Sequence, residues 1–306
     1  MKIKAWDYKT EYENEKAEIH AAIEEVFNSG QLILGEKVRQ FENAYAGFCE
    51  VKYGVGVDNG TNAIFLALKA LGIKENDEVI TVSYTAIPTV SAIVTAGAKP
   101  VFADIEESTM LLDTSKIEGL ITSKTRCIIP VHLYGQCVDM DEINSIALKY
   151  NLKVLEDCAQ SHGALYKNRK AGSFSDIAAT SFYPTKTLGA CGDAGMVLTS
   201  NEDYYRKLMR LRMYGMEGKE YYALEHGYNC RLDEIQAAIL LKKFSHISSY
   251  ISKRRDIAQK YHDALKGSSL TLPIEKSYGV HSYHQYAVRH PERKMILEAL
   301  AKKDVF

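Results

Sequence analysis

The chain has no paired cysteines. Six stand singly at positions 49, 127, 137, 158, 191 and 230 of 306 residues, and no two form a C-x-x-C pair. That spacing argues against a disulfide framework or a zinc site and fits reduced thiols in the cytoplasm, the expected location. Neither sign of charge is in excess: 38 Lys and Arg face 39 Asp and Glu, for a net charge of −1. Non-specific binding to nucleic acid or to an anionic membrane needs a basic surface, so neither partner is expected. A small anionic ligand stays open, because one helix terminus and a few side chains can hold a phosphate. Long apolar runs are missing too. The longest weakly polar stretch, Ala86 to Ala98, is too short to span a bilayer and contains Pro88 and Gly97. The opening MKIKAWDYKTEYENEK has no apolar stretch after its lysines and does not read as a signal peptide. No internal repeat or low-complexity segment is visible.

What is present is the ordinary mix of a globular protein, 46% hydrophobic and 25% charged, long enough for a deep core. Helical spacing marks Ala17 to Phe27 and Val38 to Phe48. Tyr53–Val57 reads as a strand, followed by the turn Asp58-Asn59-Gly60 and a helix from about Asn62 to Leu71. Further strands are expected at Glu78–Val82, Pro100–Ala103, Cys127–Val131, Lys153–Glu156, Ile177–Phe182 and Met196–Thr199. Helical stretches near 87–96, 115–121, 139–149 and 203–213 separate most of them. Such alternation predicts an α/β fold with a largely parallel sheet flanked by helices. Ligands on such sheets bind beyond the carboxyl ends of the strands. After about Arg231 one long helical pattern, 232 to 265, is expected, then a mixed segment from Leu270 that ends in the helix-like ERKMILEALAKKD. This places a large domain at 1–245 and a small one at 246–306.

Three strand ends carry chemistry. Ser181-Phe182-Tyr183-Pro184-Thr185-Lys186-Thr187-Leu188-Gly189 follows a strand, and Pro184 and Gly189 fix Lys186 on a short loop. A lysine in a partly dehydrated pocket loses charge readily and condenses with aldehydes; taken alone, it reads first as a solvated loop lysine. Asp157, in Val154-Leu155-Glu156-Asp157-Cys158-Ala159-Gln160, ends another strand. A carboxylate there can keep a pyridine nitrogen protonated, or it can cap a helix. Gln160 can hydrogen-bond a ring hydroxyl or face solvent. Asn59-Gly60-Thr61-Asn62 joins a strand to a helix and can cradle a phosphate. Gly54-Val55-Gly56 lacks the third glycine of a dinucleotide fingerprint. Tyr84, just past a strand, can stack on a flat ring or belong to the core.

Together, these stretches resemble the DegT/DnrJ/EryC1/StrS family, sugar aminotransferases of the aspartate-aminotransferase fold (fold type I). The similarity runs from Gly30-Gln31-Leu32-Ile33-Leu34-Gly35 to about Val305. It implies a pyridoxal 5'-phosphate cofactor bound through a Schiff base at Lys186, which also shuttles the proton. Asp157 would pair with the pyridine nitrogen and Gln160 with the ring hydroxyl. Gly60, Thr61 and Ser181 would hold the phosphate, and Tyr84 would stack on the ring. Asn229, in Gly227-Tyr228-Asn229-Cys230-Arg231, matches a family asparagine that reaches the phosphate of the other subunit, which implies a homodimer with shared sites. Family dehydratases carry histidine in place of the lysine, and Lys186 argues against that reaction.

The stretch Lys186-Thr187-Leu188-Gly189-Ala190-Cys191-Gly192-Asp193 is similar to members that aminate C3 of a nucleotide-linked keto sugar. Tyr283-His284-Gln285-Tyr286-Ala287-Val288-Arg289 and Trp6-Asp7-Tyr8 point the same way. The implied substrate is a dTDP-linked 3-keto-6-deoxyhexose, aminated by L-glutamate to dTDP-Fuc3N or dTDP-Qui3N for a lipopolysaccharide or other glycan. In that group Tyr183, and Lys219 from the partner, match positions near the sugar. Family chains usually continue several dozen residues beyond the point matching Phe306, so either the small domain is abbreviated or the sequence is a truncated form. The competing readings are a nucleotide-sugar 4-aminotransferase, a cyclitol aminotransferase and a non-catalytic cofactor-binding relative. A cysteine- or metal-dependent hydrolase finds no support, since no Cys–His or metal-ligand spacing stands out.

Overall fold

A computed structural model describes residues 2–218 and 221–306. Helices α1 (Tyr8–Ser29) and α2 (Glu36–Phe48) lead into β1 (Tyr53–Val57), α3 (Gly60–Ala70), β2 (Glu78–Val82), α4 (Ile87–Thr95) and β3 (Lys99–Ala103). Then come β4 (Thr125–Ile128), α5 (Met140–Tyr150), β5 (Lys153–Asp157) and the short strands β6 (Leu165–Tyr166) and β7 (Arg169–Lys170). The chain continues through β8 (Ile177–Ser181), β9 (Gly195–Thr199), α6 (Glu202–Leu211), α7 (Glu234–Phe244) and α8 (Ile247–Leu265), and closes with β10 (Gly279–Val280) and α9 (Arg293–Ala301).

Seven strands form one sheet in the order β1-β9-β8-β5-β4-β2-β3. Only β9 runs against its neighbours β1 and β8, so the sheet is largely parallel, as expected. Its strands are short apolar runs because helices cover both faces; β2, β8 and β9 are buried at every position. Gly54 and Gly56 serve packing. A Cβ on Gly54 would lie 2.8 Å from Glu42 O and Met196 Sδ, and one on Gly56 would lie 2.8 Å from Leu232 Cδ2. The carboxyl ends of β1, β2, β5 and β8 all reach one edge, and the residues just after them line the site.

Several expectations need correction. The helical run 232–265 is two helices. Ser245 Oγ donates to Lys242 O at 2.7 Å and His246 N–H to Lys243 O at 3.0 Å, a tight turn that redirects the chain. The helix expected at 115–121 is two short 3-10 turns, Thr114–Lys116 and Glu118–Leu120. β4 stops at Ile128, because Pro130 has no N–H to continue the ladder. α1 starts at Tyr8, where Asp7 caps it by accepting from Lys9 N–H, well ahead of the apolar spacing. Among the described residues, no helix is long and apolar enough to cross a membrane.

Candidate active site

A cavity of about 280 Å³ opens at this edge. Its walls include Gly60, Thr61, Asp157, Gln160, Ser181 and Lys186, so three separate sequence motifs meet in one place.

One end is an anion cradle. Asn59 caps α3 by accepting from Asn62 N–H at 2.8 Å. The Gly60 and Thr61 N–H groups, at the first two helical positions, make no hydrogen bond among the described residues. They sit at the positive end of the helix beside the Ser181 hydroxyl. Gly60 is required there: a Cβ would lie 2.5 Å from Ser181 Cβ and would close the cradle.

Lys186 stands on a loop set by two contacts. Its N–H donates to Tyr183 O at 2.8 Å, and a Cβ on Gly189 would lie 2.4 Å from Pro184 O, so only glycine lets the chain fold back. Burial pushes the lysine pKa down, and the charge of Asp157 offsets part of that shift. The amine is therefore less basic than a surface lysine and more readily a nucleophile.

Asp157 is 4% exposed. Its Oδ2 accepts from Thr89 Oγ1 at 2.8 Å and its Oδ1 from Ala159 N–H at 3.1 Å, leaving lone pairs on both oxygens. Among the described residues β5 leads into a turn and then β6, not directly into a helix, so a helix cap is not what this carboxylate does. Gln160 points its carbonyl away from solvent: Oε1 accepts from Tyr134 N–H at 2.8 Å, which leaves Nε2 to donate. Tyr134 adopts φ 60°, a strained conformation for a residue with a side chain.

Glu156, Asp157's neighbour, points to the other face of β5. With His132 and Cys158 it groups three metal-ligand types within 4.8 Å, all buried. Hydrogen bonds saturate this group. His132 Nδ1 accepts from Val138 N–H, so Nε2–H donates to Glu156 at 3.0 Å. Gly172 N–H, Phe174 N–H and Ser175 Oγ–H also donate to Glu156, at 2.8–2.9 Å. Burial raises the Glu156 pKa, but these donors outweigh it and hold it below the usual range. The cluster fixes β5, and His132 N–H donates to Asp157 O at 3.1 Å.

Tyr183 lines the cavity at 51% exposure. Tyr84 does not line it. Its ring stands in the wall of a neighbouring cleft of about 520 Å³, shared with Tyr134, and its hydroxyl bonds the Tyr134 hydroxyl at 2.8 Å. Asn229 is exposed, pairs by a bridge with Met213, and is not in the cavity wall of its own chain. Lys219 lies outside the described residues. The sequence reading gave no role to Thr85, Thr89 or Tyr134. Thr85 and Thr89, spaced i and i+4 around the helix-starting Pro88, carried a usable signal: two hydroxyls on one face. His162 and His284 were also passed over; burial first, and the charge of Lys186 second, push them down to about 3 and about 2.

An amine of lowered basicity, a carboxylate with free lone pairs, an amide N–H donor and an anion cradle around one small cavity fit a phosphorylated pyridine aldehyde. The comparisons with known proteins agree. A profile of the DegT/DnrJ/EryC1/StrS aminotransferase family matches residues 13–305. The chain is 48% identical over 304 residues to the dTDP-3-amino-3,4,6-trideoxy-alpha-D-glucose transaminase of Micromonospora megalomicea subsp. nigra, covering 98% of this chain and 81% of that one. It is 44% identical over 288 residues to the dTDP-3-amino-3,6-dideoxy-alpha-D-galactopyranose transaminase of Aneurinibacillus thermoaerophilus, covering 94% and 79%. The crystal structure of S. venezuelae DesV, in complex with a ketimine intermediate, superposes with a TM-score of 0.97 at 38% identity, covering 100% of this chain and 82% of that one. The chain belongs to the DegT/DnrJ/EryC1/StrS family of pyridoxal-phosphate-dependent aminotransferases.

Proposed function

We propose that the protein moves an amino group from L-glutamate to C3 of a dTDP-linked 3-keto-6-deoxyhexose, giving a dTDP-3-amino-3,6-dideoxyhexose such as Fuc3N or Qui3N. The observation that carries the reading is the meeting of Lys186, Asp157 and the Gly60–Thr61 cradle around one cavity. The two transaminase relatives are both named for dTDP-linked 3-amino sugars, which favours C3 over C4 amination and over a cyclitol.

When bound, pyridoxal phosphate supplies an electrophilic aldehyde and an electron-withdrawing pyridinium. Everything else falls to side chains. Gly60 and Thr61 N–H and the Thr61 and Ser181 hydroxyls bind the phosphate. Asp157 keeps a proton on the ring nitrogen, and Gln160 Nε2 donates to the ring oxygen. Lys186 Nζ would hold the cofactor covalently, and the same amine, of lowered basicity, would be the group that moves the proton of the donor α-carbon. We assign Tyr84 to the border of the ring site and Tyr183 to the sugar side. We place Asn229 and Lys219 in the neighbouring subunit's site, which makes the working unit a homodimer. Residues 1–245 form the large domain of that unit and 246–306 the small one.

The test uses half-reactions. The visible cofactor spectrum is expected to bleach with L-glutamate and to return with a dTDP-3-keto-6-deoxyhexose, and NMR of the product should place nitrogen on C3. Recovery with a 4-keto sugar alone sinks the C3 assignment. Borohydride reduction followed by peptide mapping is expected to leave the pyridoxyl group on Lys186.

A further inference from the structure

The Asp157 carboxylate is backed by a second layer of hydroxyls. Thr89, 1% exposed in the first turn of α4, donates from Oγ1 to Asp157 Oδ2 at 2.8 Å. Thr89 Oγ1 also lies 2.9 Å from Thr85 Oγ1. A threonine hydroxyl has one proton. With Thr89's given to the carboxylate, the Thr85 hydroxyl must be the donor to Thr89. The order of protons is thereby fixed: Thr85 to Thr89 to Asp157. Thr85, Thr89 and Asp157 all line the same cavity, and no other side chain donates to Asp157 among the described residues.

We propose that Thr89, backed by Thr85, is a positioning residue that orients Asp157 and keeps it a charged acceptor for the pyridine nitrogen. The inference rests on the role given to Asp157 above. A hydrogen bond to the charged form of a carboxylate favours that form, and aligned hydroxyls polarise one another. Without the Thr89 donor, the charged carboxylate has one hydrogen bond fewer, and the proton it shares with the ring is held less firmly on the ring nitrogen. Asp157 also loses the contact that sets its side-chain rotation toward the cavity.

The test replaces Thr89 by valine, which keeps the shape and removes the hydroxyl, and loads the protein with ring-15N pyridoxal phosphate. In Thr89→Val the ring nitrogen resonance is expected to move toward its unprotonated position. Turnover should fall about ten-fold, the scale of one hydrogen bond to a charged group. Thr89→Ser restores the donor and should return both readouts close to those of the unmodified protein. A wild-type resonance in Thr89→Val, or a serine variant as impaired as the valine one, overturns the proposal, since the methyl packing alone would then matter. If Thr89→Val does not fold, Thr85→Val interrogates the same chain. A shift in the same direction with a roughly three-fold loss is expected, and no shift overturns the relay. Asp157→Asn runs alongside. Normal turnover there removes the role of Asp157 itself, whereas a crippled Asp157→Asn beside an unaffected Thr89→Val removes only this inference.

Discussion

Glu156 and Asp157 are adjacent on β5, buried alike, and chemically near-identical, yet they face two different regions. Behind the sheet edge, Glu156 accepts from His132, Gly172, Phe174 and Ser175, about as many donors as two carboxylate oxygens can take. On the cavity side, Asp157 accepts from Thr89 and Ala159 alone among the described residues and keeps capacity in reserve. Burial does not distinguish a structural acid from a functional one; unspent hydrogen-bonding capacity beside a cavity does. The saturated side is also what makes the open side usable, because a strand pinned by Glu156 cannot drift away from the ring it must meet.

The sharpest way to break this comparison is to make the same change on both sides. Asp157→Asn should fold and hold the cofactor, with turnover down about 100-fold or more, since a neutral amide cannot sustain a pyridinium. Glu156→Gln places an amide N–H against backbone donors in a buried site and should cost about 3 kcal/mol of stability. Turnover per cofactor-loaded molecule should stay within about three-fold of the parent. Denaturant unfolding and spectrally normalised kinetics read the two quantities separately. If both variants lost turnover and neither lost stability, the division between the two faces would be wrong.

Acid tests three buried histidines that stand outside the cavity wall. His162 and His281 are held down to about 3 and His284 to about 2, in each case chiefly by burial. The unfolded chain protonates these imidazoles near its ordinary value of about 6.5. Folded pKa values below the unfolded ones mean that the unfolded state binds more protons as pH falls. Stability is therefore full above about pH 6.5 and declines below it, until the folded values are reached. The slope should approach 1.4 kcal/mol per pH unit for each histidine. Urea unfolding at pH 7.5 and pH 5.5 measures it, and His284→Asn should remove about one third of the dependence. An unchanged slope in that variant would mean that His284 is solvated in solution.

Much of this was legible beforehand, for a physical reason. Short apolar runs near Asp157, Ser181 and Val57 announce buried parallel strands, and a parallel sheet sends its carboxyl ends to one edge, so the edge was legible from spacing, whereas the roles expected of the residues there came from the family resemblance. The break at Ser245–His246 was not legible, because apolar spacing runs through it; only a tight turn made by Ser245 and Lys242 redirects the chain. Tyr134 was invisible for a different reason. Its contribution is a backbone N–H and a left-handed φ, and neither leaves a mark in residue type. Thr89 was readable in principle, yet a threonine near a helix start has many ordinary roles, and only the 2.8 Å contact to Asp157 singles it out.

The smallest effect concerns where the cavity side ends. Tyr134 serves two partners: its N–H orients Gln160, and its hydroxyl meets the Tyr84 hydroxyl across a T-shaped ring pair at 6.4 Å. Tyr134→Phe removes the second contact and leaves the first, because the backbone is untouched. A hydroxyl pair at this half-open border is worth about 0.5–1 kcal/mol, so Tyr134→Phe and Tyr84→Phe should each weaken cofactor binding about two- to five-fold. If the two hydroxyls act only on each other, the double variant should be no worse than either single one, a coupling a double-mutant cycle reads directly. Strict additivity would mean that the two tyrosines act separately, Tyr84 on the cofactor ring and Tyr134 elsewhere. The border drawn here would then move outward, bringing Tyr84 fully into the cavity beside Asp157.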